Sequence, residues 1–126
     1  MAKYISLVKY TAKGIENVKE SPNRLDAVKQ LCESMGAKVE GFYLTMGRYD
    51  IIMITDAPNP ETVAKIILTV TSGGAVSTET LHAFPEEDYR HIISDLPSRV
   101  LRAGSAMALP FNLGYLKHLC EIDHCQ

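Results

Sequence analysis

The sequence predicts an α+β domain in which strands and helices follow the order β-α-β-β-α-β, with a third helix after the last strand. Runs rich in β-branched and aromatic residues alternate with segments whose apolar residues recur at helical spacing. Both long helical segments open with a polar residue followed by proline, which is typical of a helix start. With 126 residues, of which 46% are hydrophobic and 22% charged, the chain is large enough for one core and too apolar for a disordered protein.

The first strand is predicted over residues 3–11, with the sequence KYISLVKYT, and residues 14–20 form either a helical turn or an irregular segment. Ser21-Pro22 is predicted as an N-cap and first helical residue, because a serine hydroxyl accepts a bond from a free amide and proline has no amide to lose. Arg24 is expected to form a local surface pair with Glu20. Gly36 is expected to end this helix with a positive φ. Its apolar stripe consists of Leu25, Val28, Leu31, Cys32 and Met35.

The second strand is predicted over residues 38–46 and the third over residues 50–55, joined by a tight turn at residues 47–50. The run Ile51-Ile52-Met53-Ile54 is apolar at consecutive positions, so both faces of the third strand are apolar. Such a strand is typical of the centre of a sheet, where both faces are covered.

The second long helix is predicted to start at Asn59-Pro60, which repeats the N-cap and proline pattern, and to end at Gly73-Gly74. The fourth strand is predicted over residues 75–84, and Pro85 opens a short third helix that reaches about residue 96. The amphipathic pattern of the second helix comes from Val63, Ile66, Ile67 and Val70.

This order of elements is the split βαβ, or ferredoxin-like, arrangement, with an antiparallel four-stranded sheet. Its helices cover one face of the sheet and leave the other bare. A bare apolar face is an association surface. We therefore expect a homodimer formed through the sheets, or a higher homo-oligomer.

Several segments resemble the GYD-domain family of small bacterial and archaeal proteins. They are residues 4–7 with Thr11, residues 14–15, residues 20–24, residues 42–50 and residues 76–81, with the Gly-x-Tyr-Asp turn following Tyr-x-Thr-Met. The resemblance covers about residues 3–96 and implies a ferredoxin-like subunit of the dimeric α/β-barrel superfamily. It implies no activity and no catalytic residues. We predict a domain over residues 1–97 and a C-terminal extension over residues 98–126, which either packs on a partner subunit or is poorly ordered.

The turn Gly47-Arg48-Tyr49-Asp50 has two interpretations. In the structural one it closes a β-hairpin, with Gly47 supplying an unusual backbone angle and Asp50 binding turn amides. In the functional one Tyr49 and Asp50 line a pocket at the end of the sheet. Asp50 then acts as an acceptor or base and Arg48 as an anion contact. The two interpretations are compatible.

A second group of candidates consists of Tyr43 and Thr45 on the second strand and Thr78, Thr80 and His82 on the fourth. If both faces point into a dimer barrel, these side chains form a polar patch in an apolar cavity, as in small-molecule sites. His82 could then act as a base or as a haem or metal ligand. The simpler interpretation is that threonines favour strands and bond one another, and that His82 is structural.

Near the C-terminus, His118, Cys120, His124 and Cys125 provide four possible zinc donors. Their spacing does not match a zinc finger, because Cys120 and Cys125 are five residues apart and His124 adjoins Cys125. They remain weak candidates, and we predict neither a metal nor a cofactor. Three cysteines in all argue against a disulfide framework.

The net charge of −2 and the lack of a basic run make nucleic acid an unexpected partner. Without a signal-like or membrane-spanning segment, we expect a cytoplasmic protein and no membrane partner. No phosphate-binding glycine loop, Rossmann fingerprint, nucleophile elbow or His-Glu-x-x-His motif is present, which disfavours the common hydrolases and nucleotide enzymes.

The leading hypothesis is a homo-oligomeric domain that binds or senses a small molecule, held between sheet and helices or in the dimer cavity. One alternative is an enzyme resembling the cofactor-independent monooxygenases and isomerases of the same superfamily. In that case Asp50, His82 or Tyr49 would be its acid/base groups. A structural assembly module, with an apolar interface and no cavity, is the other alternative.

Overall fold

A computed structural model describes residues 1–97. The predicted extension over residues 98–126, with its four candidate metal ligands, lies outside the described residues. The elements are β1 (Ala2–Tyr10), α1 (Ala12–Glu16), a 3-10 turn (Val18–Glu20), α2 (Ser21–Ser34), β2 (Lys38–Leu44), β3 (Ile51–Ala57), α3 (Pro60–Ser72), β4 (Val76–Ala83) and α4 (Glu86–Ser94). The predicted order of strands and long helices is confirmed. The chain divides into a unit over Met1–Asp88, which contains the sheet and α1 to α3, and a second unit that begins at Tyr89.

The four strands form one sheet in the order β2-β3-β1-β4, and all neighbouring strands are antiparallel. The prediction that the third strand is central is confirmed. Alternate residues of β3 are fully buried on one face, and Ile52 and Ile54 are half-buried on the other. The architecture is therefore the expected α+β, ferredoxin-like fold.

The core lies between one face of the sheet and the helices α2 and α3. Tyr4 and Ala57 from the sheet contact Cys32 of α2 and Ile66 of α3. Burying such apolar surface contributes about 25 cal/mol for each Å² removed from water, and it fixes which face of the sheet the helices cover.

Short sequence patterns predicted the ends of the helices correctly, with one exception. The Asn59 side chain accepts a hydrogen bond from the Thr62 amide at 2.9 Å, and Gly36 follows α2 with a φ of +77°, as predicted. The N-cap predicted at Ser21 is wrong. Ser21 already has helical backbone angles because the 3-10 turn runs directly into α2, and its hydroxyl lies 2.9 Å from the Tyr10 hydroxyl instead.

The sheet face opposite α2 and α3 carries mainly apolar side chains, and we call it the open face. Its central residues are half-buried, whereas Tyr43 and Leu81 on the two edge strands are 58% and 44% exposed. The apolar residues of the open face are Ile5, Leu7, Tyr43, Ile52, Ile54 and Leu81, and the same register places Lys3, Lys9, Asp56 and Glu79 on it.

Candidate functional site

The turn at residues 47–50 closes the hairpin between β2 and β3. Gly47 has a φ of +125°, a conformation that residues with a Cβ rarely adopt. The Thr45 amide donates to the Asp50 carbonyl oxygen at 2.8 Å, and the Thr45 hydroxyl donates to the Tyr49 carbonyl oxygen at 2.6 Å. Thr45, a predicted ligand-binding residue, is thus engaged in the turn itself.

Asp50 links this turn to the end of β1. Its Oδ2 accepts a hydrogen bond from the Tyr10 amide at 2.9 Å, and its own amide donates to the Val8 carbonyl oxygen at 2.8 Å. A carboxylate bonded to a backbone amide is a strong local restraint. This geometry favours a structural role for Asp50, but the amide that its carboxylate binds belongs to β1 and not to the turn, as the structural interpretation had expected.

Tyr49 reaches from the turn to β4. Its hydroxyl donates to Oε1 of Glu79 at 2.7 Å, and this bond raises the pKa of Tyr49 above its ordinary value. Arg48, next to Tyr49, is exposed. Hydrogen bonds therefore connect the turn to β1 and to the middle of β4.

The structure does not bring the five residues of the predicted polar patch together. In the register of β1 with β4, Thr78 and Thr80 lie opposite Val8 and Ser6, on the face that the helices cover. Tyr43 lies opposite Ile52, on the open face. In addition, β2 and β4 are the two edges of the sheet. The two halves of the patch therefore lie on opposite faces, and the expectation that they form one site is wrong.

His82 stands in a row of aromatic rings. Its imidazole centroid lies 4.9 Å from that of Tyr4 in a stacked arrangement and 4.7 Å from that of Phe84. The Thr80 hydroxyl shares a hydrogen bond with Ser6 at 3.1 Å. Thr80 thus bonds another strand residue, as the simpler interpretation expects, and His82 is an exposed member of a ring stack.

A cavity of about 390 Å³ lies between the helix-covered face of the sheet and the helices α2 and α3. Its lining is almost entirely apolar. Of the predicted site residues, Thr78 is the one that contributes to it, among the residues that the structure describes. The apolar lining includes Val8 and Met53 from the sheet, Val28 and Leu31 from α2, and Ile66 and Val70 from α3.

Tyr10, Ser21 and Arg24 add polar groups to the cavity wall. The two hydroxyls bond each other, as described above. Arg24 donates from Nη1 to the Asn17 carbonyl oxygen at 3.2 Å, while its Nη2 is shielded from solvent and has no hydrogen-bond partner within residues 1–97.

The predicted pair of Arg24 with Glu20 is therefore replaced by the bond to Asn17, and Glu20 instead accepts from the Asn23 side chain at 3.2 Å. Sequence reasoning missed Arg24 as a lining residue, although a signal was present. Positions 24, 28, 31 and 35 fall on one face of a helix, which places Arg24 in line with the apolar stripe.

Shifted pKa values occur outside the cavity lining. A hydrogen bond between Lys3 and Asp56, at 2.8 Å, raises the pKa of the ammonium group and lowers that of the carboxyl group. Burial raises the pKa of the Cys32 thiol. Within residues 1–97 there is no cluster of three or more His, Cys, Asp or Glu side chains that could hold a metal ion.

In the described part of the chain, no helix has both the length and the apolar character needed to span a bilayer.

The chain is similar to a protein of Thermus thermophilus, "Glutamine synthetase and cystathionine beta-lyase binding protein". The two are 35% identical over 89 residues, which is 70% of this chain and 94% of the relative. At the level of sequence families, residues 4–93 match the GYD domain.

Among solved structures, two regulatory proteins of Mycobacterium tuberculosis share the fold. A feast or famine regulatory protein complexed with L-methionine matches with a TM-score of 0.53 and 10% identity, and covers 68% of this chain and 51% of that one. A leucine response regulatory protein matches with a TM-score of 0.51 and 12% identity over 67% of this chain and 51% of that one. The chain thus spans about half the length of each regulator, and at these identities the likeness shows the fold alone.

The family match extends over most of the chain, and it includes the Gly-Arg-Tyr-Asp turn whose bonds join β1, β3 and β4. The Thermus relative is covered almost end to end. This chain therefore belongs to the GYD-domain family.

Proposed function

We propose that this GYD-domain protein binds a small apolar molecule in the cavity between the sheet and the helices α2 and α3. The observation that carries the proposal is the cavity itself, about 390 Å³ in volume and lined from three elements by branched aliphatic side chains. Small-molecule sites are typically concave, mostly apolar and supplied with a few placed polar groups, and their volumes start at about 300 Å³.

Packing favours an occupant in this cavity. Protein interiors are normally as dense as organic crystals, and side chains around a void lose dispersion contacts. An apolar occupant would restore those contacts and remove apolar surface from water. Binding to the folded state would then stabilise the domain in proportion to the logarithm of ligand concentration once the site is largely filled.

The test uses a dye and two variants of α3. Val70 lines the cavity, whereas Leu68, two residues earlier, is 69% exposed. We expect Nile red, a neutral apolar dye, to fluoresce on binding the wild type and Leu68→Trp. In Val70→Trp an indole occupies the space, and the affinity should fall at least about tenfold, a loss of about 1.4 kcal/mol. Equal dye binding by all three proteins contradicts the proposal.

We infer further that the protein acts as a homodimer through the open face. The support is the exposed apolar surface of Tyr43 and Leu81 at the edges of a half-buried apolar centre. Covering that face would remove it from water. The cytoplasmic location and the lack of a nucleic-acid partner stay predictions from the sequence.

A second candidate function is the binding of another protein. The Thermus relative is named for binding two enzymes, and the open face could serve such a partner instead of a second copy. For the enzyme hypothesis, the three candidate acid/base groups Asp50, Tyr49 and His82 are engaged by Tyr10, Glu79 and a ring stack, respectively. None of the three lines the cavity. Small-molecule binding therefore has the stronger support in the geometry.

A further inference from the structure

We infer that the occupant of the cavity is an aliphatic carboxylate whose head group pairs with the guanidinium of Arg24. This inference rests on the proposed function, since it specifies the ligand of the same cavity. The Nη2 atom of Arg24 is shielded from solvent and has no hydrogen-bond partner within residues 1–97.

An unpaired guanidinium nitrogen away from water is costly. Arginine stays charged at any physiological pH, so it cannot lose its charge as a buried lysine can. A buried donor left without a partner destabilises the folded state, and more so when the group is charged. The bond from Nη1 to the Asn17 carbonyl satisfies one donor but supplies no negative charge.

The rest of the cavity wall does not neutralise this charge. Among the described lining residues, Arg24 is the one with a charged side chain. Glu20, the acidic residue expected to pair with Arg24, accepts a bond from Asn23 instead. A bound anion would therefore neutralise the guanidinium of Arg24. Arginine binds carboxylates through two parallel N–H donors.

The neighbouring hydroxyls add a second donor. Tyr10 and Ser21 have two hydroxyl hydrogens between them, and their mutual bond at 2.9 Å uses one. The other hydrogen is left to donate to an acceptor. Ser21 and Arg24 are three residues apart on α2 and therefore share a helix face. A carboxylate, with two acceptor oxygens, suits this pair of donors.

The remaining lining selects an aliphatic chain. Apart from the polar residues named above, the cavity is lined largely by side chains such as Val28, Leu31, Ile66 and Val70. Each methylene group moved from water into such surroundings contributes favourably to binding. The expected ligand class is thus a short fatty acid or a similar aliphatic acid.

The test compares octanoate with octanol, a neutral molecule of similar size, by titration calorimetry on the full chain. Wild-type protein should bind octanoate at least about tenfold more tightly than octanol, because a bond to a charged group is worth about 1.5–3 kcal/mol. In Arg24→Met, which keeps the side chain long but uncharged, this preference should disappear while octanol still binds. Arg24→Lys, which keeps a positive charge, should restore part of the preference for octanoate.

Lys29→Met is the control, because it removes one positive charge from an exposed residue of α2 that does not line the cavity. It should leave the preference for octanoate unchanged. If Arg24→Met fails to fold, the affinities of the wild type for octanoate and octanol still test the inference.

The outcomes separate the two proposals. If Nile red binding responds to Val70→Trp but octanoate binds no more tightly than octanol, the carboxylate inference is overturned and the cavity proposal stands. The carboxylate inference is also overturned if Lys29→Met abolishes the preference as fully as Arg24→Met does. If neither Nile red nor octanol nor octanoate binds, both proposals are overturned.

Discussion

At the scale of single residues, Asp50 shows how a residue that looks chemically active can be engaged in the fold. Its carboxylate holds the Tyr10 amide and its amide holds the Val8 carbonyl, so it joins β1 to the start of β3. The sequence permitted both interpretations, because a single sequence does not distinguish an aspartate that stabilises a turn from one that lines a pocket.

Replacing Asp50 tests this role. We expect Asp50→Ala to lower the free energy of unfolding by about 1–3 kcal/mol, because the Tyr10 amide loses its acceptor. Asp50→Asn keeps an acceptor oxygen and should recover part of the loss. Urea unfolding of the three proteins measures the difference. An alanine variant as stable as the wild type would show that the bond contributes nothing.

Tyr49 gives a prediction about pH. Its bond to Glu79 raises the pKa of the phenol in the folded state. A raised pKa means that the stabilisation is fully present below the ordinary tyrosine value, near 10, and is lost as the pH rises through the folded-state pKa.

The measurement is the free energy of unfolding of wild type and Tyr49→Phe at increasing pH. We expect the wild type to lose more stability than the variant above about pH 10. Parallel curves for the two proteins would mean that the bond to Glu79 is not formed in solution.

At the scale of elements, short sequence patterns predicted the features that depend on residues close together in the chain. The Asn59 cap, the glycine after α2 and the central position of β3 all follow from short patterns. Ser21 failed as an N-cap because the turn before it is itself helical, which a serine-proline pair does not reveal.

The candidate site was predictable only in part, because faces and cavities depend on long-range packing. Alternation correctly placed Thr78, Thr80 and His82 on one face of β4. Which face the helices cover, however, depends on the pairing with β1, about seventy positions earlier in the chain. The cavity depends on how α2 and α3 fit the sheet, and no pattern in one sequence encodes that fit.

The Asn59 cap can be tested as an element-scale feature. Asn59→Ala should lower the free energy of unfolding by about 1 kcal/mol, because the Thr62 amide loses the side-chain acceptor. Asn59→Asp retains an oxygen at the same place and should be nearly neutral. Thermal unfolding followed by circular dichroism measures both, and equal midpoints for alanine and wild type would contradict the prediction.

At the scale of the whole molecule, the open face predicts the assembly. We expect the wild type to sediment as a dimer and Leu81→Lys to sediment as a monomer, because a lysine there places a charge within a buried apolar interface. Leu68→Lys is the matched control, since Leu68 is an exposed leucine on α3 rather than on the open face.

Sedimentation velocity over a range of concentrations distinguishes the outcomes. A wild type that stays monomeric contradicts the dimer. A monomeric Leu68→Lys together with a dimeric Leu81→Lys would move the interface to the helix side of the molecule.

The reactivity of the Cys32 thiol can report how often α2 moves away from the sheet. The thiol is fully buried in α2, the helix that forms one wall of the cavity, and burial raises its pKa. A thiol in this position reacts with an alkylating agent only when the helix lifts from the sheet. With Cys120 and Cys125 replaced by serine, the alkylation rate of Cys32 would measure the frequency of these openings. A molecule bound beneath the helix should slow that rate, so alkylation of Cys32 would report occupancy of the cavity.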